Sequence, residues 1–326
     1  MTAKVFIDGA AGTTGLQIYE RLSRRRDIEL LQLSDAERKD PSRRAEMLNA
    51  ADVSILCLPD EAAVEAVGLV QNDRARIIDA STAHRTAPGW TYGFPEHTPT
   101  RPQEITASAR VSNPGCYACG AVSLLHPLIA AGVLPPDYAA TINAVSGYSG
   151  GGKSLIAAFE NPDAPNHTDS NFYLYGLKLA HKHTPEIHKQ SGLTHAPLFV
   201  PSVGRFAQGM IVSLPLLLWS LPGKTTIEDV HAALAAHYEG RDGPRGVRVA
   251  PLTESAALPD KLDPESLNDT DGMAIHVFAN EAREQALVCA VLDNLGKGAA
   301  GQAVQNLNLM LGLTPAEQGI AAKAAI

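Results

Sequence analysis

The chain has 326 residues, 45% hydrophobic and 19% charged, which supplies the cores of two domains and excludes a disordered protein. A formal charge of −8 excludes nucleic acid as the main partner. Four cysteines are too few for a disulfide framework, the opening MTAKVFIDGAAG lacks a signal-peptide core, and no apolar run approaches the ~18 residues of a membrane span; a cytoplasmic enzyme with no membrane partner is expected.

Taken in chain order, Lys4 to Ile7 predicts a strand and Thr14 to Arg24 a helix with Ile18, Tyr19 and Leu22 on one face. Between them lies Gly9-Ala10-Ala11-Gly12-Thr13-Thr14-Gly15. Glycines after a strand let the backbone turn tightly and approach a pyrophosphate, and the helix start supplies the positive end of a dipole. Gly9, Gly12, Thr13, Thr14 and Gly15 are therefore read as a dinucleotide-binding turn, although the spacing is G-x-x-G-x-x-G and not the commoner G-x-G-x-x-G. Strands at Ile28 to Leu33, Val53 to Leu58 and Ile77 to Asp79 complete a β-α-β order that predicts a doubly wound parallel sheet. After the second strand, Ser34, Arg38 and Lys39 suit the 2′-phosphate of NADP, whereas Asp35 would suit the free ribose of NAD; NADP is the favoured reading. The basic clusters Arg24 to Arg26 and Arg43-Arg44 read as solvated helix faces, and Cys57 and Cys289 as buried small hydrophobes.

Arg85, in Asp79-Ala80-Ser81-Thr82-Ala83-His84-Arg85, follows a strand at the edge where open α/β sheets bind ligands, and its planar fork suits a substrate anion. The sharpest feature is Ser112-Asn113-Pro114-Gly115-Cys116-Tyr117-Ala118-Cys119. A tight turn places Cys116 ahead of the helical run Gly120 to Ala131, where the helix start lowers a thiol pKa and exposes a nucleophilic thiolate. Cys116 and Cys119 also spell C-x-x-C, so a redox pair, or a zinc site completed by His181 and His183, is the competing reading; no metal is expected in the favoured one.

Beyond the cysteine turn the texture changes to longer strands: Ala140 to Val145, Phe199 to Val203, Met210 to Leu218, Ala274 to Asn280 and Gln285 to Leu292. The last two are close enough for antiparallel pairing. Gly147 to Ser154 matches a phosphate-binding P-loop, but it follows a complete dinucleotide fold and is read as a flexible glycine loop beside the substrate, with Ser146, Tyr148 or Ser149 as polar contacts. Leu179 to Ile187 carries the proton partner. His181 and His183 alternate on one side of an extended segment, and Thr184-Pro185 reads as a helix cap and first position. His126 and His237 fall in helical runs and read as ordinary. Arg205 is a second anion candidate. The helix Ala299 to Leu311 is expected to return to the first domain, and the alanine-rich tail from Glu317 to fray or cap.

Together, Gly9 to Gly15, Asp79 to Arg85, Tyr92 to Glu96, Ser112 to Ala118, Gly147 to Gly152, His181 to Ile187 and Asp293 to Ala303 resemble the short N-acetyl-gamma-glutamyl-phosphate reductases of arginine biosynthesis, within the semialdehyde dehydrogenase superfamily. The cysteine turn, the histidine segment and the Asp293 run carry the resemblance most specifically; the tail beyond Leu313 departs from it. It implies a glyceraldehyde-3-phosphate-dehydrogenase-like fold: a dinucleotide-binding domain of residues 1–115 and 298–326, and an α+β catalytic and oligomerisation domain of residues 116–297 with a largely antiparallel sheet. It implies NADP(H), Cys116 as nucleophile, His181 (or His183) as acid/base, and Asn294 near the nicotinamide. Arg85, Asn113, Ser146, His183 and Arg205 would face the small-molecule substrate, and the chain would assemble as a homodimer or homotetramer. Aspartate-semialdehyde enzymes resemble it less at the cysteine turn, and a non-catalytic NADP sensor would share only the first domain.

Overall fold

The computed structural model describes residues 2–313, so the expectations for the tail lie outside the described residues. The chain divides into two compact units, Met1–Gly115 with Ala299–Ile326, and Cys116–Gly298.

The first unit opens with β1 (Ala3–Asp8), α1 (Thr13–Leu22), β2 (Ile28–Leu31), α2 (Pro41–Ala50), β3 (Val53–Leu56), α3 (Asp60–Gly68) and β4 (Arg76–Asp79). It continues through β5 (Thr91–Tyr92), α4 (Arg101–Ala107) and β6 (Arg110–Ser112). The second unit runs α5 (Cys116–Ala130), β7 (Thr141–Gly147), α6 (Gly152–Glu160), β8 (Phe172–Leu174), α7 (Thr184–Ser191), β9 (Leu198–Gly204) and β10 (Met210–Leu217). It ends with α8 (Ile227–Tyr238), β11 (Val247–Val249), α9 (Leu252–Ala257), β12 (Met273–Asn280) and β13 (Gln285–Leu292), and α10 (Gly301–Leu311) belongs again to the first unit.

The first unit's six strands lie in the order β2-β1-β3-β4-β6-β5, all pairs parallel. Side chains alternate across each strand, so both faces need cover. Val5, Ile7, Val53 and Ile55 pack on one side with Ile18 and Leu22 of α1 and Ala303 and Leu307 of α10. Phe6, Leu56 and Ile77 pack on the other with Leu48, Ala63 and Ala66 of α2 and α3. Strand order reverses at β1, and ligands of open α/β sheets bind outside the strand ends at such a point.

The basic clusters are solvated only in part: Arg24 and Arg26 are exposed, whereas Arg25 and Arg44 are not. Arg44 is buried, its Nε and one guanidinium nitrogen 3.1 and 3.0 Å from Asp8 Oδ2. Arg25 lies beyond the end of α1, with its side chain 4% exposed and paired with Asp27 and Asn308. Burying each guanidinium is tolerable because each is paired. Cys57 is half-buried, and burial together with Asp79 and Asp8 pushes its thiol up to about 12.

The second unit's seven-stranded sheet, β11-β12-β13-β10-β7-β9-β8, is mixed. The β10, β12 and β13 pairings are antiparallel as expected, but β7–β9 and β11–β12 run parallel because α6 and α7 lie in the connection between the first pair and α9 in that between the second; of these helices only the start of α7 was expected. α5 and α8 pack over one face. Gly120 is needed there: a Cβ would lie 2.6 Å from Val212 of β10. The opposite face carries Leu198, Val200, Ile211, Pro215 and Leu287, with Leu198 and Leu287 exposed.

Candidate active site

In the first unit the two outer motif glycines are forced by backbone contacts. Gly9 sits at φ +90°, and a Cβ there would lie 2.3 Å from the Cys57 carbonyl oxygen. A Cβ on Gly15 would lie 2.3 Å from the Gly9 carbonyl oxygen. Gly12 donates to that carbonyl at 2.9 Å and caps α1 without a side chain, so Thr13 and Thr14 form the first helical positions. This cradle fits a pyrophosphate at a helix start. Beyond β2, Ser34 donates to Glu37 at 2.7 Å, Arg43 Nε lies 3.0 Å from the same carboxylate, and Arg38 pairs with the exposed Asp35 at 3.4 Å. Both acidic groups of this segment are thus engaged by neighbours, and the exposed Arg38 and Lys39 fit a phosphate better than Asp35 fits a free ribose. The residues suit NADP(H).

Asn113 and Arg85 brace this unit. Asn113 is buried; its Nδ2 donates to Ala299 and its Oδ1 accepts from Asn306, both at 3.0 Å. Arg85 is buried and donates to the carbonyls of Asn113 and Ala80, each at 3.0 Å. These hydrogen bonds fix the backbone that leads into Cys116, because a buried carbonyl must be hydrogen-bonded.

In the second unit α5 begins at Cys116 itself, four residues earlier than expected, so the thiol stands at the positive end of a helix whose following residues are almost all buried. Gly298 passes directly over it: a Cβ there would lie 2.8 Å from that of Cys116. Cys119, one turn on, is buried and its Sγ lies 3.8 Å from the Lys297 carbonyl oxygen. All four cysteines are reduced thiols, and among the described residues no three His, Cys, Asp or Glu side chains converge on a metal position.

His181 and His183 do not lie on an extended segment. They occupy a turn, His183 is the N-cap of α7, and Thr184 is the first helical residue. The rings still meet, 4.8 Å between centroids. His181 is packed among Tyr117, Tyr175, Phe199 and His183. Burial in that box, aided by the Lys182 charge, lowers its pKa to about 4. Tyr175 places its hydroxyl 3.3 Å from His181 Nε2, and the Tyr117 hydroxyl donates to the Ser202 carbonyl at 2.8 Å. Burial raises both phenols well above their ordinary range, and both sense the Cys116 charge. Neither tyrosine stood out in the sequence. An aromatic within a few residues of each candidate was the only signal available.

The second glycine loop is hydrogen-bonded to a neighbouring stretch of chain. Gly147, Tyr148 and Ser149 donate their amides to the carbonyls of Gly209, Phe206 and Ala207 at 2.9, 3.0 and 3.0 Å. Ser146 is buried and donates to the Gly147 carbonyl, and Asn294 bridges Ser149 Oγ at 3.0 Å and the Gly209 amide at 2.7 Å. Asp293 is buried and tied to Gln208, Leu295 and Asp269, and burial raises its carboxyl. Arg205 is exposed, stacks over Phe159 at 5.1 Å and donates to the carbonyls of Ser170, Phe159 and Thr168, contacts that pin a loop.

Residues 4–105 match the model of the semialdehyde dehydrogenase NAD binding domain, and residues 116–294 that of the semialdehyde dehydrogenase dimerisation domain. The N-acetyl-gamma-glutamyl-phosphate reductase of Burkholderia cenocepacia is 54% identical over 96% of this chain and 98% of its own. N-acetyl-gamma-glutamyl-phosphate reductase 2 of Nostoc sp. is 52% identical over 97% and 99%. Among solved structures, aspartate semialdehyde dehydrogenase II from Vibrio cholerae superposes with a TM-score of 0.68 at 18% identity, over 96% of this chain and 99% of that one, and the enzyme from Francisella tularensis with 0.67 at 16%, over 95% and 100%; these establish the fold. The chain belongs to the semialdehyde dehydrogenase family, and within it to the N-acetyl-gamma-glutamyl-phosphate reductases.

Proposed function

We propose that the chain reduces N-acetyl-gamma-glutamyl phosphate to N-acetylglutamate 5-semialdehyde and phosphate, reversibly, in arginine biosynthesis and in the cytoplasm. The observation that carries it is Cys116 at the start of α5, beside the His181–Tyr175–Tyr117 cluster, in a chain matched almost end to end by reductases of that name.

The Cys116 thiolate attacks the acyl carbon, the bond to phosphate breaks, and a thioester remains on sulfur. The covalent step matters because a thioester accepts hydride where a carboxylate does not. NADPH supplies that hydride when bound. Gly9, Gly12, Thr13, Thr14 and Gly15 would hold its pyrophosphate, and Ser34, Arg38 and Lys39 its 2′-phosphate. His181 serves the carbonyl oxygen, and His183, as N-cap of α7, sets the turn that presents it. Arg85 and Asn113 steady the turn before Cys116, and Asn294 holds the loop that begins at Ser146. Phosphate-dependent NADP reduction with N-acetylglutamate semialdehyde, set against aspartate semialdehyde, tests the reading; a preference for the aspartyl substrate would overturn it.

We further infer a homodimer or higher homo-oligomer joined through the open apolar face of the second unit's sheet. Its exposed Leu198 and Leu287 are the residue types that a second copy would cover. Sedimentation of the wild type and of Leu287→Glu tests it: a wild-type monomer sinks the inference.

A further inference from the structure

Cys119 has no part in the steps above, yet its place is tied to that of Cys116. The two are one turn apart at the start of α5, so their Cα atoms stand about 5 Å apart, inside the range that a disulfide spans. One piece of chain shows that both side chains leave the helix on the same side. The Lys297 carbonyl oxygen lies 3.8 Å from Cys119 Sγ, and a Cβ on the next residue, Gly298, would lie 2.8 Å from the Cβ of Cys116. That crossing chain is itself held: the Gly298 amide donates to the Asp293 carbonyl at 2.9 Å and Lys297 Nζ to the Arg245 carbonyl at 2.6 Å. The thiols differ in access. Cys116 is half-buried, whereas Cys119 is fully buried. A reachable thiol at a helix start with a second thiol one turn behind it is the C-x-x-C arrangement of dithiol redox centres.

We propose that Cys119 is the resolving thiol of Cys116: hydrogen peroxide oxidises Cys116, and Cys119 closes a disulfide across the first turn of α5 that shuts off the nucleophile and that a dithiol reopens. The bridge stands apart from the choice of substrate; only its effect on turnover rests on the acyl-thioester reading above. Cys57 and Cys289 do not compete for the peroxide. Burial pushes their thiols up to about 12 and about 11, so neither is a thiolate at neutral pH.

The Cys116 thiolate takes one oxygen from hydrogen peroxide, the O–O bond breaks, and sulfenic acid and hydroxide result; sulfur loses two electrons and the peroxide gains them. The Cys119 sulfur then attacks that sulfur. The S–S bond forms, the S–O bond breaks, and the departing hydroxide takes the Cys119 proton as water. An intact helix leaves the two Cβ atoms about 5–6 Å apart and a bridge wants about 3.8 Å, so the first turn must tighten. It can, because its first amides have no carbonyl upstream within the helix. The bridge forestalls further oxidation of Cys116 to the sulfinic acid, which a dithiol does not reverse.

The test is peroxide treatment of the full-length protein, read by mass mapping and by activity. After denaturation and digestion with chymotrypsin, which cuts after Tyr117 between the two cysteines, the oxidised wild type should yield two peptides joined only by a Cys116–Cys119 bridge. Its phosphate-dependent NADP reduction should fall as the bridge forms and return with dithiothreitol. Cys119→Ala should keep the basal rate but go on to sulfinic acid at Cys116, so the wild type should recover at least about tenfold more activity after reduction. Cys119→Ser repeats the comparison if the alanine variant does not fold, and the wild-type map needs no variant. A sulfinic Cys116 beside a free Cys119 thiol in the wild type, a bridge to Cys57 or Cys289, or equal recovery in the two proteins would overturn the proposal. A bridge formed in protein that is inactive on N-acetylglutamate semialdehyde would sink the substrate reading alone.

Discussion

Two glycine loops follow a strand and open a helix, one in each unit, and they do different work. In Gly9 to Gly15 each outer glycine is forced by a backbone oxygen 2.3 Å from where its Cβ would stand, and the cap of α1 uses no side chain, which suits a helix start that receives an external anion. In Gly147 to Gly152 the first three amides are given to Gly209, Phe206 and Ala207, and Asn294 clamps the loop from β13's end. A glycine motif states that the backbone must approach something closely; whether that is a ligand or the protein's own chain depends on what folds against it.

The contrast can be broken in order of expected effect. Cys116→Ser should lower phosphate-dependent NADP reduction by about 10³-fold or more while NADP still binds, measured by turnover and calorimetry; retained turnover would remove the covalent step. Gly15→Ala pushes a methyl into the Gly9 carbonyl and should weaken NADP binding at least ~10-fold. Gly150→Ala, whose nearest neighbour would be Ser146 Oγ at 3.2 Å, should leave that affinity alone, and equal losses would erase the distinction. Asn294→Ala strips a partner from the buried Gly209 amide and should cost about 1–3 kcal/mol in denaturant titration. His181 adds a pH signature confined to the second unit. With its pKa lowered from 6.5 to about 4, the unfolded chain binds the extra proton between those values, so stability is full above about 6.5 and falls as pH drops toward 4; His181→Gln should flatten that part of the curve. Lys153→Ala is the smallest case. The exposed lysine of the P-loop-like motif should change stability by under ~0.5 kcal/mol, and a large loss of nucleotide affinity would reinstate the P-loop.

Much of the fold was legible. Short apolar runs alternating with helical spacing placed β1, α1, β3, β4, β12 and β13 to within a few residues, because local periodicity and burial agree there. The start of α7 was legible from Thr184-Pro185, but the crossover α6 was missed because glycines open it, and with it the parallel pair it makes possible. Arg25 and Arg44 were misread because a charge cluster looks the same whether solvated or paired with a distant Asn308 or Asp8.

At the site, the sequence alone determined that Gly9, Gly12 and Gly15 share one turn and that Cys116 follows another at a helix start. Those are demands of local backbone geometry, and residue identity expresses them directly. Only the tertiary structure decided that Arg85 and Asn113 brace backbone, that Arg205 pins a loop, and that Tyr175, six residues before His181, stands at its Nε2. Those roles depend on which carbonyls and ring nitrogens folding leaves in need of a partner, and that need is created by burial, not by any one segment.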